Sequence, residues 1–290
     1  MKKMNKKFLL AIVALFAGFV LVACGGSNDG SADGADKLEQ IKEKGELNIG
    51  TSPDYPPMEF YILDDNGERQ IVGSDIELAK AIAEEIGVEL KVTATDFNGV
   101  IANVQTGSVD MGISGFTFTE TRSDVMTFSK GYSQESSLGF QGLLMQKEMA
   151  EKFSSLEEIE EAGLVMGAQG GSIQYELAEG LTDAGNIKQY GTLDVGLSAL
   201  NEGDIDAMVV STSSAEPMLT TFPNLVILPR ENFDLDPEEQ YAKIMIGFPK
   251  GDEYDSLVEL ANKVIAEVVE NGDYEKWQEE ARELSIKAVE

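Results

Sequence analysis

The chain has 290 residues, 22 Lys and Arg against 52 Asp and Glu, and a formal net charge of −30. A surface of that sign repels nucleic acid and anionic lipid headgroups, so no nucleic-acid partner is expected. Histidine is absent and there is one cysteine, which excludes Ser-His-Asp and Cys-His catalysis, removes the commonest zinc ligand and rules out an intrachain disulfide.

Lys2, Lys3, Lys6 and Lys7 open the chain, an apolar run follows from Phe8 to Val20, and Leu21-Val22-Ala23 leads to Cys24. This is the pattern of a secretory signal peptide over 1–23 with a lipoprotein cleavage box. The apolar run is short for a membrane span, which needs about 20 residues. Cys24 is expected to become the mature N-terminus and to carry lipid, which places the protein on the extracytoplasmic face of the cell membrane, tethered but not spanning. Two or more buried acyl chains, at about 0.8 kcal/mol per CH₂, anchor stably. Loss of residues 1–23 removes four lysines and no acid and deepens the charge to −34. Gly25 to Asp36 holds no large apolar residue, so 24–37 reads as a flexible tether.

Order is expected from Leu38. Leu47 to Gly50 reads as a strand, and Pro53 and Pro56-Pro57 are expected to end it in a loop, with a turn around Asp65-Asn66-Gly67. Ile76, Leu78, Ala79, Ile82, Ala83 and Ile86 follow helical periodicity up to Gly87. Val88 to Val92 is a strand, Val100, Ile101 and Val104 mark a helix ending at Gly107, and Val109 to Ile113 is a strand. A second unit of the same kind follows: a strand over 164–168, a Gly-rich turn, a helix from Ile173, a strand over 186–190, a helix over 195–200 and a strand over 205–210. A strand over 241–248 and two acidic helices, 253–270 and 274–286, close the chain. Alternating strands and helices predict an α/β fold with largely parallel sheets flanked by helices. Two such units facing each other make a cleft, and ligands of open α/β sheets bind beyond the carboxyl ends of the strands.

Two segments carry polar chemistry at such strand ends. Ser114 and Gly115 are expected to end a strand, and Arg122 falls in the first turn of a short helix that Thr119 can cap. An arginine there can grip a carboxylate bidentately, or it can be a surface residue paired with Glu120 or Asp124. Gln169-Gly170-Gly171-Ser172 is the matching turn of the second unit, where glycines let backbone N–H groups approach an anion, or simply a strand-to-helix connection. The sequence shows neither a cofactor motif nor calcium-site spacing, and no cofactor or metal is expected.

From Leu38 to Ile286 the chain resembles the extracytoplasmic amino-acid-binding proteins of polar amino-acid ABC importers. The resemblance rests on the order and spacing of GELNIGTSPDYPP (45–57), VGSDIELAKAI (72–82), VQTGSVD (104–110), TFTETR (117–122), TFSKGY (127–132), GDIDA (203–207) and YAKIMIGFPK (241–250). It implies a two-lobe, type II periplasmic-binding-protein clamp, with 38–137 plus 232–290 as one lobe and 138–231 as the other, and crossings near 132–140 and 232–241. It also implies an ABC permease as partner and a monomer as the default state. Position by position, Arg122 matches the grip on a ligand's α-carboxylate and Thr117 the hydroxyl that helps it. Ser114 and Gly115 match the strand-end pair, with Gly115 offering backbone to the ligand. Ser172 matches the second-lobe hydroxyl, Tyr55 the aromatic that covers the ligand side chain, and Asp75 an acid with a structural or cleft-edge role. Ser52 stands where relatives with charged or amide ligands often have Asp. With Met58 and Phe60 near Tyr55, this makes the side-chain pocket look neutral or apolar.

One departure concerns the ligand's ammonium. The family places an Asp five residues beyond Asp206 to neutralise it; here that residue is Ser211. A hydrogen bond to a charged group is worth about 1.5–3 kcal/mol, so its loss weakens binding by about one to two decades. Three explanations stand: Glu216 or Asp54 supplies the charge, the ligand lacks an α-ammonium, or binding is weak or runs through a partner. Two rival classes stand beside the receptor: a cyclic carboxylic acid dehydratase on the same scaffold, with Glu216 as proton donor, and a ligand-free surface interaction protein. The absence of paired carboxylates at catalytic spacing favours a non-enzyme.

Overall fold

The structure, a computed structural model, describes residues 36–134 and 138–288. The signal segment, Cys24 and nearly all of the expected tether lie outside the described residues, as do positions 135–137 of the first expected crossing. Among the described residues no helix is long and apolar enough to cross a membrane.

Helix α1 (Lys37–Lys44) starts on Asp36, whose Oδ1 accepts from Glu39 N, and stops at Gly45, where φ is +74°. Lys37, the last residue of the expected tether, is thus helical, and its Nζ pairs with Asp110 Oδ1 at 2.8 Å. Strand β1 (Glu46–Thr51) follows. Where a loop and a turn were expected, β2 (Asp54–Tyr55), β3 (Glu59–Leu63) and β4 (Arg69–Val72) form a small antiparallel sheet. The prolines fall at its ends and in its connection, not in a paired interior, so they do not oppose it. Then come α2 (Ser74–Ile86), β5 (Glu89–Ala94), α3 (Phe97–Gln105), β6 (Met111–Thr117), α4 (Glu120–Ser123), β7 (Met126–Phe128) and β8 (Ser133–Gln134). The apolar stripe of α2 is buried as its periodicity predicts.

The second half runs β9 (Gln141–Gln146), α5 (Lys147–Ala150), α6 (Leu156–Ala162), β10 (Met166–Gln169), α7 (Ile173–Glu179), β11 (Ile187–Tyr190), α8 (Leu193–Glu202), β12 (Ala207–Ser211), α9 (Thr212–Ala215), β13 (Leu225–Ile227) and α10 (Arg230–Phe233). Strand β14 (Lys243–Pro249) returns to the first sheet, and α11 (Asp255–Glu270) and α12 (Asp273–Ser285) pack against α2.

Two mixed sheets result, each with its helices forming a lobe. The first has the order β5-β1-β6-β14-β7, with β8 on β14, and the second β11-β10-β12-β9-β13. In each, the three strands joined by helical crossovers are parallel, while β14 and β9 run antiparallel to their neighbours. Separate cores back the two sheets: Leu47, Ile49, Leu78, Ile82, Met111 and Phe248 belong to the first, and Leu143, Met166, Ala207 and Val209 to the second.

Candidate functional site

Strand β6 does not stop at Ser114-Gly115. It runs on to Thr117, with an irregularity in its pairing to β14 between Met245 and Gly247. Gly115 has φ +58°, and a Cβ there would lie 3.1 Å from the Tyr55 ring and 3.4 Å from Met58 Sδ, so only glycine lets Tyr55 close over this strand. Its N–H donates to Asp75 Oδ2 at 3.2 Å, behind the pocket.

Thr119 caps α4, its Oγ1 accepting from Arg122 N at 3.1 Å, and this aims the arginine inward. Arg122 is buried, 7 % exposed. Nη1 donates to Thr117 O at 2.9 Å and to Thr117 Oγ1 at 3.2 Å, and Nη2 donates to Gly171 O at 3.0 Å in the other lobe. The guanidinium lies 5.3 Å from the Phe97 ring centroid. Among the described residues no carboxylate lies within ion-pair distance of it, so the pairing with Glu120 or Asp124 that a surface role required does not form. Burial lowers its pKa to about 10, and it stays cationic at neutral pH.

Beyond Arg122 lies a chain of buried acids. Ser114 Oγ accepts from Ser52 N at 2.9 Å and donates to Glu59 Oε1 at 2.6 Å. Burial, reinforced by the neighbouring Asp75 charge, drives the Glu59 pKa well up, so Glu59 is the protonated member of the pair. Its Oε2 finds no hydrogen-bond partner among the described residues. Asp75 also accepts from Tyr132 Oη at 2.8 Å and Tyr274 Oη at 3.3 Å, and burial raises its pKa to about 6. Asp75 thus sits behind the pocket, not at its edge.

Asp54 joins the lobes. Its Oδ1 accepts from Ser52 Oγ at 2.7 Å, and its Oδ2 accepts from Gln169 Nε2 at 2.9 Å and Leu193 N at 2.7 Å. Burial raises its pKa to about 6. On the second-lobe side Ser172 caps α7, accepting from Tyr175 N at 3.3 Å and donating to Gln169 O at 2.7 Å. Gln174 Nε2 donates to Gln141 Oε1 at 2.8 Å. A Cβ at Gly170 or Gly171 would come within 2.4 or 2.3 Å of the Asn98 side chain, so the glycine pair admits α3 at this seam.

These groups line a cavity of about 30 Å³ that brings together Ser52, Asp54, Tyr55, Ser114, Gly115, Thr117, Arg122 and Ser172. Ser211 is not brought into it. It ends β12 opposite Gln141, with its hydroxyl 2.8 Å from Ser213 Oγ, and the Gln141 side chain lines the cavity in its place. Glu216 is exposed at the start of a 3₁₀ turn away from the cavity, so it supplies neither the missing charge nor a proton donor. Met58 and Phe60 do not line this cavity, whereas Asp54 and Glu59 do; Phe60 lines a neighbouring cavity that shares Ser52 and Asp54 with it. Sequence reasoning missed Glu59, Phe97, Gln141 and Gln174. The first two lie close in sequence to residues that were singled out, whereas the two glutamines carry no local signal. No group of residues among those described could hold a metal ion.

Comparison with known proteins converges on one family. The family model of bacterial extracellular solute-binding proteins, family 3, matches residues 47–281. The arginine-binding extracellular protein ArtP of Bacillus subtilis (strain 168) is 32 % identical over 275 residues, 93 % of this chain and 96 % of that one. The crystal structure of the amino acid ABC transporter substrate-binding protein AbpA of Streptococcus pneumoniae bound to L-arginine is 33 % identical, with a TM-score of 0.74 over 86 % of this chain and 99 % of that one. An ancestral amino-acid-binding protein, AncCDT-1, a precursor of cyclohexadienyl dehydratase, is 27 % identical, with a TM-score of 0.69 over 84 % of this chain and 98 % of that one.

Proposed function

From the premise that the chain belongs to the bacterial extracellular solute-binding proteins of family 3, we propose that it is the amino-acid receptor of an ABC importer, loading its ligand between the lobes. The observation that carries this is Arg122: a buried guanidinium, forked between Thr117 and Gly171, with no carboxylate partner among the described residues. A buried charge without a counter-charge is costly, and a ligand carboxylate supplies one in bidentate geometry. The ligand docks first on Arg122 and Thr117, beneath Tyr55 and Phe97. The second lobe then brings Ser172 and Gln169 against it, and the bonds from Asp54 to Gln169 and Leu193 hold that arrangement. Closure is favoured only by contacts that the open form lacks.

The α-ammonium meets no acid at Ser211. It faces the neutral amides of Gln141 and Gln174, so the head group alone binds about one to two decades more weakly than it would against a carboxylate. The lobes are 38–137 plus 232–290 and 138–231. Cys24 carries the lipid that tethers the receptor at the extracytoplasmic membrane face, it acts as a monomer without a cofactor, and an ABC permease receives the ligand. No enzymatic step is assigned, since the acid that a dehydratase role called on, Glu216, lies outside the cleft.

A thermal-shift panel of L-amino acids, their deaminated and N-blocked analogues and short peptides tests this. An upward shift is expected with α-amino acids, lost in Arg122→Ala; an undiminished shift in that variant overturns the assignment.

A further inference from the structure

Among the described residues two acids line the cavity at Arg122, Asp54 and Glu59, and they differ in what their oxygens do. Both Asp54 oxygens are taken, Oδ1 by Ser52 Oγ and Oδ2 by Gln169 Nε2 and Leu193 N. Glu59 is fully buried on β3. Its Oε1 takes one bond, from Ser114 Oγ at 2.6 Å, and its Oε2 takes none. A buried oxygen left unpaired is costly, and the carboxylate grip at Arg122 makes no use of it.

We propose that Glu59 is the counter-charge for the ligand's α-ammonium: it is neutral before the ligand arrives and gives up its proton to water when the ammonium docks against Ser114. The proposal rests on the reading of Arg122 as the carboxylate grip. It names a specificity-determining residue on the first lobe. The ammonium keeps the neutral amides of Gln141 and Gln174 as its neighbours on the second lobe, and the charge that Ser211 does not offer comes from behind Ser114 instead.

The geometry prepares both protonation states. Asp75, on α2, accepts from Tyr132 Oη, Tyr274 Oη and Gly115 N, and these three donors hold the negative charge there. Glu59 has a single donor, so of the two acids it is the one that keeps a proton, and burial and the Asp75 charge push the same way. Ser114 favours the other state. Its oxygen already accepts from Ser52 N at 2.9 Å, and its hydroxyl donates to Glu59 Oε1, so an ionised Glu59 finds a donor in place. A cation arriving in the cavity tips the balance to the carboxylate. The other groups that face Glu59 do not supply that cation. The Asp54 charge, from β2, opposes ionisation. Tyr132 and Tyr274 are held neutral by burial. Tyr55 and Arg122 line the same cavity, and the ligand's own carboxylate balances Arg122.

Four probes, L-alanine, L-phenylalanine, L-glutamine and L-arginine, are each paired with the 2-hydroxy acid of the same side chain, which keeps the carboxylate and lacks the ammonium. Calorimetric titration of the purified protein at pH 7, in two buffers of different ionisation enthalpy, counts the protons exchanged. At that pH Asp54 and Asp75, which titrate near 6, have largely lost theirs. For the pair that binds tightest, the amino acid is expected to release about one proton per ligand bound, so its affinity rises with pH by up to about tenfold per unit. The hydroxy acid is expected to release none. Glu59→Gln keeps an acceptor for Ser114 and cannot ionise. It is expected to abolish the release and to weaken the amino acid about tenfold, while the hydroxy acid stays within about threefold. Equal proton release by the two members of a pair, or release that persists in Glu59→Gln, overturns the counter-charge while Arg122-dependent binding keeps the head reading intact. The comparison within a pair uses the unaltered protein, so it decides even where Glu59→Gln fails to fold. Silence with all eight compounds overturns both readings.

Discussion

The two walls of the cleft differ in kind. The wall built by the first lobe holds the titratable and cationic groups, Arg122, Asp54 and Glu59, and the rings of Tyr55 and Phe97. The wall built by the second lobe is uncharged: Gln141, Gln169, Ser172, Ile173 and Gln174. The first-lobe groups are also braced from behind, by the Ser52–Ser114–Glu59 chain and by Asp75 with its two tyrosines. Recognition by charge therefore belongs to a wall that is pre-formed, while the second wall closes with neutral donors and acceptors, each contributing about 1 kcal/mol.

The largest expected effect breaks the charged wall. Arg122→Ala removes the only cation that lines the cavity among the described residues and is expected to lower ligand affinity by about one and a half decades or more, given about 2–5 kcal/mol for truncating one partner of a buried charge pair; titration with the best binder from the panel measures it. Next is the bracing. Asp75→Ala strands the buried hydroxyl of Tyr132 and the half-buried N–H of Gly115, leaves Tyr274 Oη only Ser74 Oγ as partner, and is expected to cost about 2–4 kcal/mol of stability, read from denaturant midpoints at constant slope.

A pH experiment sharpens the same contrast. Asp54 and Asp75 each titrate near 6 in the folded protein against 3.8 in the reference state. A carboxyl whose folded pKa is raised binds its proton more tightly when folded. Stability from these two groups is thus present in full below about pH 4, falls as pH rises from about 4 to 6, and is flat above. The loss is about 1–3 kcal/mol per group. Asp54→Asn is expected to remove its part of that slope, whereas Gln169→Ala, across the cleft, leaves the slope in place. The smallest effects lie on the neutral wall. Gln169→Ala and Ser172→Ala, which remove an interlobe hydrogen bond and a helix cap, are each expected to weaken binding by about three- to tenfold, or about 1 kcal/mol.

Much of the fold was legible because its signals are local. The apolar stripe of α2, the cap at Thr119 and the glycine stop at Gly87 each depend on residues within a turn or two. The Gly170-Gly171-Ser172 turn and Arg122 were likewise visible as strand-end chemistry. Strand β9 was not, since its run of Gln141 to Gln146 has neither flanking turn signals nor a period, and it forms only because β12 and β13 lie on either side of it. The small β2–β3–β4 sheet was hidden by its prolines, which ordinarily mark loops. Glu59 falls in the stretch expected to be a loop, and only the tertiary packing around it reveals a buried acid.

By itself the sequence determined the two α/β units, the arginine at a strand end and the absence of an acid at 211, all carried by short-range pattern and residue identity. The tertiary structure alone decided that Gln141 and not Ser211 faces the pocket, that Glu216 faces away from it, and that Asp54 ties the lobes together beside a second cavity. Those outcomes depend on which strands become neighbours and how the two lobes meet. Such pairings join residues more than a hundred positions apart, as Asp54 joins Gln169 and Leu193, and no local periodicity encodes them.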